Sequence, residues 1–264
     1  MRSLSHAMRN RFRRFGGLFA LHLINLMIPL IVGLVSIPVL TRRLEPREFG
    51  VLSVVLGWSS LTGLLGYGWA ATVIGRMSPG SPLDFRRDIQ AVVYRRCGMT
   101  AFLFALGGCS LILITTSGGV RSFGMGILLA GMGIPLNVRI AEERTHGRNR
   151  LYTLLSMTQI TATSIVPVFV VIAGVSSGLV VGAAIAAASA IAAAFGMRGR
   201  FVMLSHAADK AAQKRVMVFG KPLVVAAVAL AALAVSDRLL ISIVRGEAAA
   251  GVYAAHYGVF FRPF

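Results

Sequence analysis

From Phe49 to Gly75 the chain carries no charged residue, and four further stretches, 18–40, 97–117, 151–174 and 177–197, are equally free of charge. The hydrocarbon core of a bilayer is crossed by about 20 helical residues. Two more apolar runs meet that length with few charges. Residues 123–141 hold only Arg139, and 217–244 hold Lys221, Asp237 and Arg238. An eighth run begins near 250 and continues to Phe264. Hydrocarbon offers no water to peptide groups, so a crossing segment is either a helix or a strand of a closed barrel. Barrel strands need only about 9–11 residues. The runs here are twice that length, and the expectation is an all-α polytopic membrane protein with seven crossings and part of an eighth.

Cations decide how such a chain is threaded. Of 27 Lys and Arg, 20 fall in four segments: 5 before residue 18, 5 in 76–96, 4 in 139–150 and 6 in 198–221. The intervening gaps hold Arg42, Arg43 and Arg47, then Arg121, then none, then Arg238 and Arg245. Every second gap is therefore basic. Cationic loops stay on the cytoplasmic side, so the N-terminus and the four basic segments are expected there. The net charge of +18 is explained by this threading and by attraction to anionic head groups. It is not gathered in a soluble domain, and nucleic acid is not an expected partner.

The N-terminal segment has a basic start and an apolar run, as a signal peptide does. The run is too long, Pro29 and Pro38 interrupt it, and no small-residue cleavage site follows. It reads as a retained first helix, preceded by an interfacial segment in which Arg2, Arg9, Arg11, Arg13 and Arg14 alternate with Phe12 and Phe15. Cys97 and Cys109 have neither disulfide nor zinc spacing. No metalloprotease helix, phosphate loop or nucleophile elbow is present. The chain is expected not to be an enzyme and to need no cofactor. Glu142 and Glu143 stand beside Arg139 and Arg144, which reads as a solvated, salt-bridged loop.

A phrase recurs after about two hundred residues: Gly50-Val51-Leu52-Ser53 aligns with Gly251-Val252-Tyr253-Ala254. Six helices separate the two, and an even number gives repeats of the same orientation. The expected organisation is a bundle of helices one to six over residues 1–200. Helix seven and the start of helix eight, residues 201–264, begin a second. Four more helices would complete that second bundle, and the chain reads as a truncated transporter.

Polar residues inside the apolar runs are candidates for a site. His22, Asn25, Pro29, Gly33 and Ser36 recur at steps of three and four, as do Tyr152, Ser156, Gln159, Thr163 and Pro167. Each set shares one helix face. Unpaired amides and hydroxyls cost several kcal/mol in hydrocarbon, so both faces must meet other helices or a wet cavity. Asp237 and Arg238 are adjacent and point apart, so each needs another partner or a ligand. Arg76 ends the second helix, and Arg42 and Arg43 end the first. Snorkelling to head groups is the alternative use of such terminal arginines.

Two windows of the chain resemble the polysaccharide-biosynthesis flippases of the multidrug/oligosaccharidyl-lipid/polysaccharide exporter superfamily. The first runs from Asn25 through Ile37-Pro38 and Leu44-Glu45-Pro46-Arg47-Glu48-Phe49-Gly50 to Gly66-Tyr67-Gly68 and Arg76. The second holds Phe219-Gly220-Lys221-Pro222-Leu223, Asp237-Arg238-Leu239-Leu240-Ile241 and Gly251-Val252-Tyr253-Ala254. The resemblance implies an inner-membrane transporter of bacteria that moves an undecaprenyl-diphosphate-linked oligosaccharide outward, with two lobes of helices around a central cavity. It implies as partners this substrate, the surrounding lipids and other membrane proteins of polysaccharide assembly. Arg76, Arg238 and Arg42 would bind the diphosphate, Asn25 and Gln159 the sugar hydroxyls, and Asp237 a coupling cation. The rival readings are a cation-coupled drug antiporter of the same superfamily, a membrane-embedded glycan polymerase or acyltransferase, and a non-transporting remnant or partner from a truncated gene.

Overall fold

The structure is a computed structural model that describes residues 23–260 apart from Leu26. The arginines before residue 18 and His22 lie outside the described residues. Ten helices follow in order: α1 (Leu23–Arg43), α2 (Pro46–Met77), α3 (Leu83–Ile114), α4 (Gly118–Thr145), α5 (Asn149–Ile160), α6 (Val166–Ile172), α7 (Gly178–Gly196), α8 (Phe201–Ser205), α9 (Lys210–Arg245) and α10 (Glu247–Phe260). Among the described residues there is no strand. Seven segments are long and apolar enough to cross a membrane: α1, α2, α3, α4, the continuous rod of α5 and α6, α7, and Lys210–Leu233 of α9. The chain is an all-α polytopic membrane protein, as its apolar runs require.

The helices outrun the apolar segments. α3 starts at Leu83, ahead of the apolar run that begins at residue 97. Charge ends an apolar run without ending a helix, because Arg, Asp and Gln at 84–96 are compatible with helical backbone. α9 runs unbroken for 36 residues through Pro222. The fifth run is interrupted. Val166 N–H reaches back to Thr161 C=O, and residues 161–165 form one π-helical turn before Pro167. Proline cannot donate and crowds the preceding turn, and widening that turn relieves the clash.

Glu45 precedes α2 and Pro46 occupies its first position, where a missing N–H leaves nothing unpaired. Glu48, in the first turn of α2, also serves a different helix. Its Oε2 accepts the Gly178 N–H at 2.7 Å, satisfying one of the free donors at the start of α7.

α2 and α4 are the central helices. Their apolar windows are 61% and 56% buried, against 17% for α3 and 22% for α5–α6, which face outward. α2 packs against α3, α4, α7, α9 and α10. Small residues allow this: a Cβ on Gly126 would lie 2.9 Å from Val55 O on α2, and one on Gly131 2.8 Å from Ala101 O on α3. Close backbone approach through small residues is the usual basis of helix association where no water drives it. The two copies of the repeated phrase also meet. A Cβ on Gly50 would collide with Glu247 O, and one on Gly251 with Pro46 O. Each glycine thus faces the carbonyl four residues before its counterpart, a reciprocal crossing of α2 and α10.

Two large apolar clusters fill the two ends of the molecule. One gathers Val73, Ile74, Ile89, Val93, Ile134 and Val216 at the arginine-rich end. The other gathers Leu40, Phe49, Leu52, Leu129, Val181 and Ile185 toward the arginine-poor end.

Candidate functional site

A cavity of about 330 Å³ opens within the second cluster, between α1, α2, α4, α5, the π-helical turn, α6, α7, α9 and α10. Its walls mix apolar side chains with Ser36, Ser53, Ser59, Ser60, Tyr67, Asn137, Gln159, Thr163, Ser164 and Ser189, and among the described residues its one charged side chain is Arg238. The volume is far more than one water needs and lies at the lower end of the range for small-molecule sites.

Several wall hydroxyls and amides are engaged locally. Ser60 Oγ donates to Leu56 O at 2.9 Å, and Thr163 Oγ1 to Gln159 O at 3.0 Å. Gln159 Nε2 donates to Asn137 Oδ1 at 2.9 Å, joining the end of α5 to α4. Asn137 Nδ2 in turn donates to Gly133 O at 3.0 Å. Two buried lining atoms differ. Ser53 is 6% exposed and its Oγ has no hydrogen-bond partner among the described residues; Arg238 Nε is buried and likewise has none there. Buried polar atoms are nearly always satisfied. Both belong to residues that line the cavity.

Arg238 is held from one side. Its guanidinium carbon lies 4.7 Å from the ring centre of Tyr257, a cation–π distance. Asp237 forms no ion pair with it among the described residues. Instead Asp237 Oδ1 accepts the Arg238 backbone N–H at 2.7 Å, and Oδ2 accepts the Tyr253 hydroxyl at 2.5 Å. The expectation that these neighbours point apart holds. Asp237 ties α9 to α10, and Arg238 turns to the cavity.

Of the residues singled out in the sequence, Arg238, Gln159, Ser36, Thr163 and Pro167 line this cavity. Asn25 does not: its Nδ2 donates to Thr153 Oγ1 at 2.9 Å, linking α1 to α5. Arg42 is exposed at the end of α1. Arg76 is exposed in the last turn of α2, nine residues beyond the lining residue Tyr67, or about 13 Å along the axis. Ser53, Ser60, Tyr67 and Asn137 were not anticipated. The signal existed, because Ser53, Leu56, Ser60, Gly63 and Tyr67 recur at steps of three and four along α2.

A second polar cluster lies at the arginine-rich end and corrects the reading of Glu142-Glu143 as a solvated loop. α4 continues to Thr145, and both carboxylates are fully buried. Arg139 Nη1 stands 2.7 Å from Glu142 and 2.6 Å from Glu143; Arg200 Nη2 stands 2.7 Å from Glu142. Tyr94 OH and Gln90 Nε2 donate to Glu142 from α3 at 2.5 and 3.1 Å. The partners are Arg139 and Arg200 rather than Arg144, because positions three and four apart share a face while Arg144 points out. The cluster joins α3, α4 and the α7–α8 connection. His146, just past α4, is held below its usual pKa by burial. Arg86 and Arg148 act in the same direction, and Glu142 and Glu143 oppose it.

Compared with protein-family models, with curated proteins and with solved structures, the chain has no match.

Proposed function

We propose that this protein translocates a polyprenyl-diphosphate-linked oligosaccharide across the bacterial inner membrane for surface polysaccharide synthesis, with the arginine-rich end in the cytoplasm. The observation that carries the reading is the cavity itself: a chamber walled by hydroxyls and amides, with one cation whose side chain no carboxylate neutralises. Hydroxyl and amide walls suit sugars. A guanidinium suits a diphosphate by charge and by its forked geometry. The family resemblance of the two windows around Glu45–Gly50 and Asp237–Ala254 points to the same substrate class, and those windows supply Arg238 and the α2–α10 crossing beside it.

In this reading Arg238 binds the diphosphate. Gln159 and Asn137, with the serines of α2, receive the first sugars. Tyr257 holds the guanidinium from the α10 side, and Asp237 and Tyr253 tie α9 to α10 beside it. Transport proceeds by alternating exposure of the cavity. The π-helical turn and Pro167 interrupt the hydrogen-bond ladder at the cavity wall, which is where helices bend.

The test is Arg238→Ala and Arg238→Lys at the native locus, with surface polysaccharide and membrane-fraction protein measured together. Loss of polysaccharide at normal protein level, partly restored by lysine, is the expected result. Normal polysaccharide in Arg238→Ala refutes the assignment. The rival reading, a cation-coupled drug antiporter, rests on Asp237 as a membrane carboxylate. It predicts that Asp237→Asn raises drug sensitivity and leaves polysaccharide intact.

A further inference from the structure

A second cavity, of about 290 Å³, lies between α3 and the α8–α9 segment at the arginine-rich end, and Arg95, Arg96, Met99, His206, Gln213 and Met217 are among its walls. Its chemistry differs from that of the chamber above. Arg95 and Arg96 are adjacent, exposed and have no carboxylate partner among the described residues. The wall residue His206 is engaged from outside the lining by Asp88, whose Oδ1 stands 3.0 Å from His206 Nε2. Gln213 is fixed by donating to Ala208 O at 2.9 Å.

Depth decides what such a pair of guanidinium groups meets. From Arg96 to the far end of α3 at Ile114 is 18 residues, or about 27 Å, close to the full hydrocarbon thickness of about 30 Å. Arg95 and Arg96 therefore stand where hydrocarbon gives way to head groups. Beyond them the same side of α3 is apolar and uncovered: Met99 is 54% exposed, Phe102 66%, Leu103 54% and Leu106 56%. The steps of three and four carry this strip straight on from the cavity. A cationic recess at head-group depth that continues into a bare apolar strip matches a molecule with an anionic head and hydrocarbon chains.

We propose that this recess is a binding site for an anionic phospholipid of the adjoining leaflet. The phosphodiester sits on Arg95 and Arg96 and the acyl chains lie along Met99, Phe102, Leu103 and Leu106. Basic pockets between membrane helices recognise lipid head groups by this combination. The site is separate from the transport chamber, and its occupancy does not depend on translocation.

The whole chain, purified in dodecyl maltoside, is titrated with dioleoyl-phosphatidylglycerol or dioleoyl-phosphatidylcholine, and thermal stability and lipid retained in native mass spectra are read. The expected result is a stabilising shift and retained lipid with phosphatidylglycerol only. In Arg95→Gln/Arg96→Gln the apparent affinity falls roughly thirtyfold, the effect of two interfacial arginines. Arg144→Gln/Arg150→Gln, which removes two exposed cations at the same end, leaves it unchanged. An equal loss in both double variants overturns the site in favour of diffuse charge. Equal binding of phosphatidylcholine overturns it as well. If glycerol phosphate binds as tightly as the lipid, the recess is a free-phosphate site and the acyl assignment fails. Should the first double variant not purify as a single species, Met99→Glu makes the same prediction by placing a carboxylate in the wall.

Discussion

Arg200→Ala is the most informative single change in this molecule. Arg200 leaves the α7–α8 connection and places Nη2 2.7 Å from Glu142 and 3.6 Å from Glu143, with its side chain 16% exposed. Both carboxylates are fully buried. Their other neighbours are Arg139, 8% exposed, and Arg148, which is 57% exposed and 3.4 Å from Glu143. In the native cluster two buried anions meet two well-buried cations. Removing Arg200 takes the 2.7 Å counter-ion from Glu142 and leaves two buried anions to share Arg139, with only the exposed Arg148 beside Glu143. Breaking a buried pair in this way costs about 3–5 kcal/mol. The partial exposure of Arg200 argues for the lower figure, about 3 kcal/mol, or roughly a hundredfold in the unfolding equilibrium. Replacing both partners is a different operation, because no bare charge remains. Arg200→Met combined with Glu142→Gln should therefore lose much less than the sum of the two single changes. The assay is a double-mutant cycle read from unfolding in mixed micelles by the fluorescence of Trp58 and Trp69. A coupling energy above about 1.5 kcal/mol is expected, within the range for residues that share a network. If the single changes cost under about 0.5 kcal/mol, or simply add, the cluster is solvated and the argument from burial is wrong.

Two further outcomes follow from packing and protonation. Gly251→Val forces a branched side chain into the Pro46 carbonyl and should cost about 1–3 kcal/mol by overpacking. Gly107→Val, on α3 with nothing within 4 Å of its Cβ position, should be neutral in the same thermal melt, and equal stability of the two would refute the α2–α10 crossing. Because burial lowers the pKa of His146, the unfolded chain takes up a proton that the fold resists. Stability from this residue is complete above pH 6.5 and declines as pH falls through 6.5 toward the lowered value. His146→Gln should flatten the fall measured between about pH 7.5 and 5.5, and an unchanged slope would contradict the assignment.

The membrane spans were legible in the sequence because their cause is local. A peptide group in hydrocarbon has only its own chain within reach, so an apolar run of 20 or more residues has one backbone solution. The same holds for the turn at Glu45-Pro46 and for the even spacing of polar residues that brought Gln159 to the cavity wall. Three properties were not legible. α3 continues below its apolar run, and α4 carries Glu142 and Glu143 inward, because helices end where caps end them and not where hydropathy falls. Ser53, Ser60 and Tyr67 form a stripe that hydropathy hides, since single hydroxyls scarcely alter an apolar window. The arginines that look alike in sequence also separate in space. Arg139 and Arg200 are locked on buried carboxylates, Arg76 and Arg42 are exposed at helix ends, Arg95 and Arg96 stand at a recess, and Arg238 turns into a chamber. The sequence by itself determined which segments are long and apolar enough to cross a membrane and which ends are basic, since both follow from the cost of placing each residue in hydrocarbon. Only the tertiary structure decided which cations are neutralised and which are not, because that depends on which faces of the helices pack together and, for Arg200 and Glu142, on neighbours far apart along the chain.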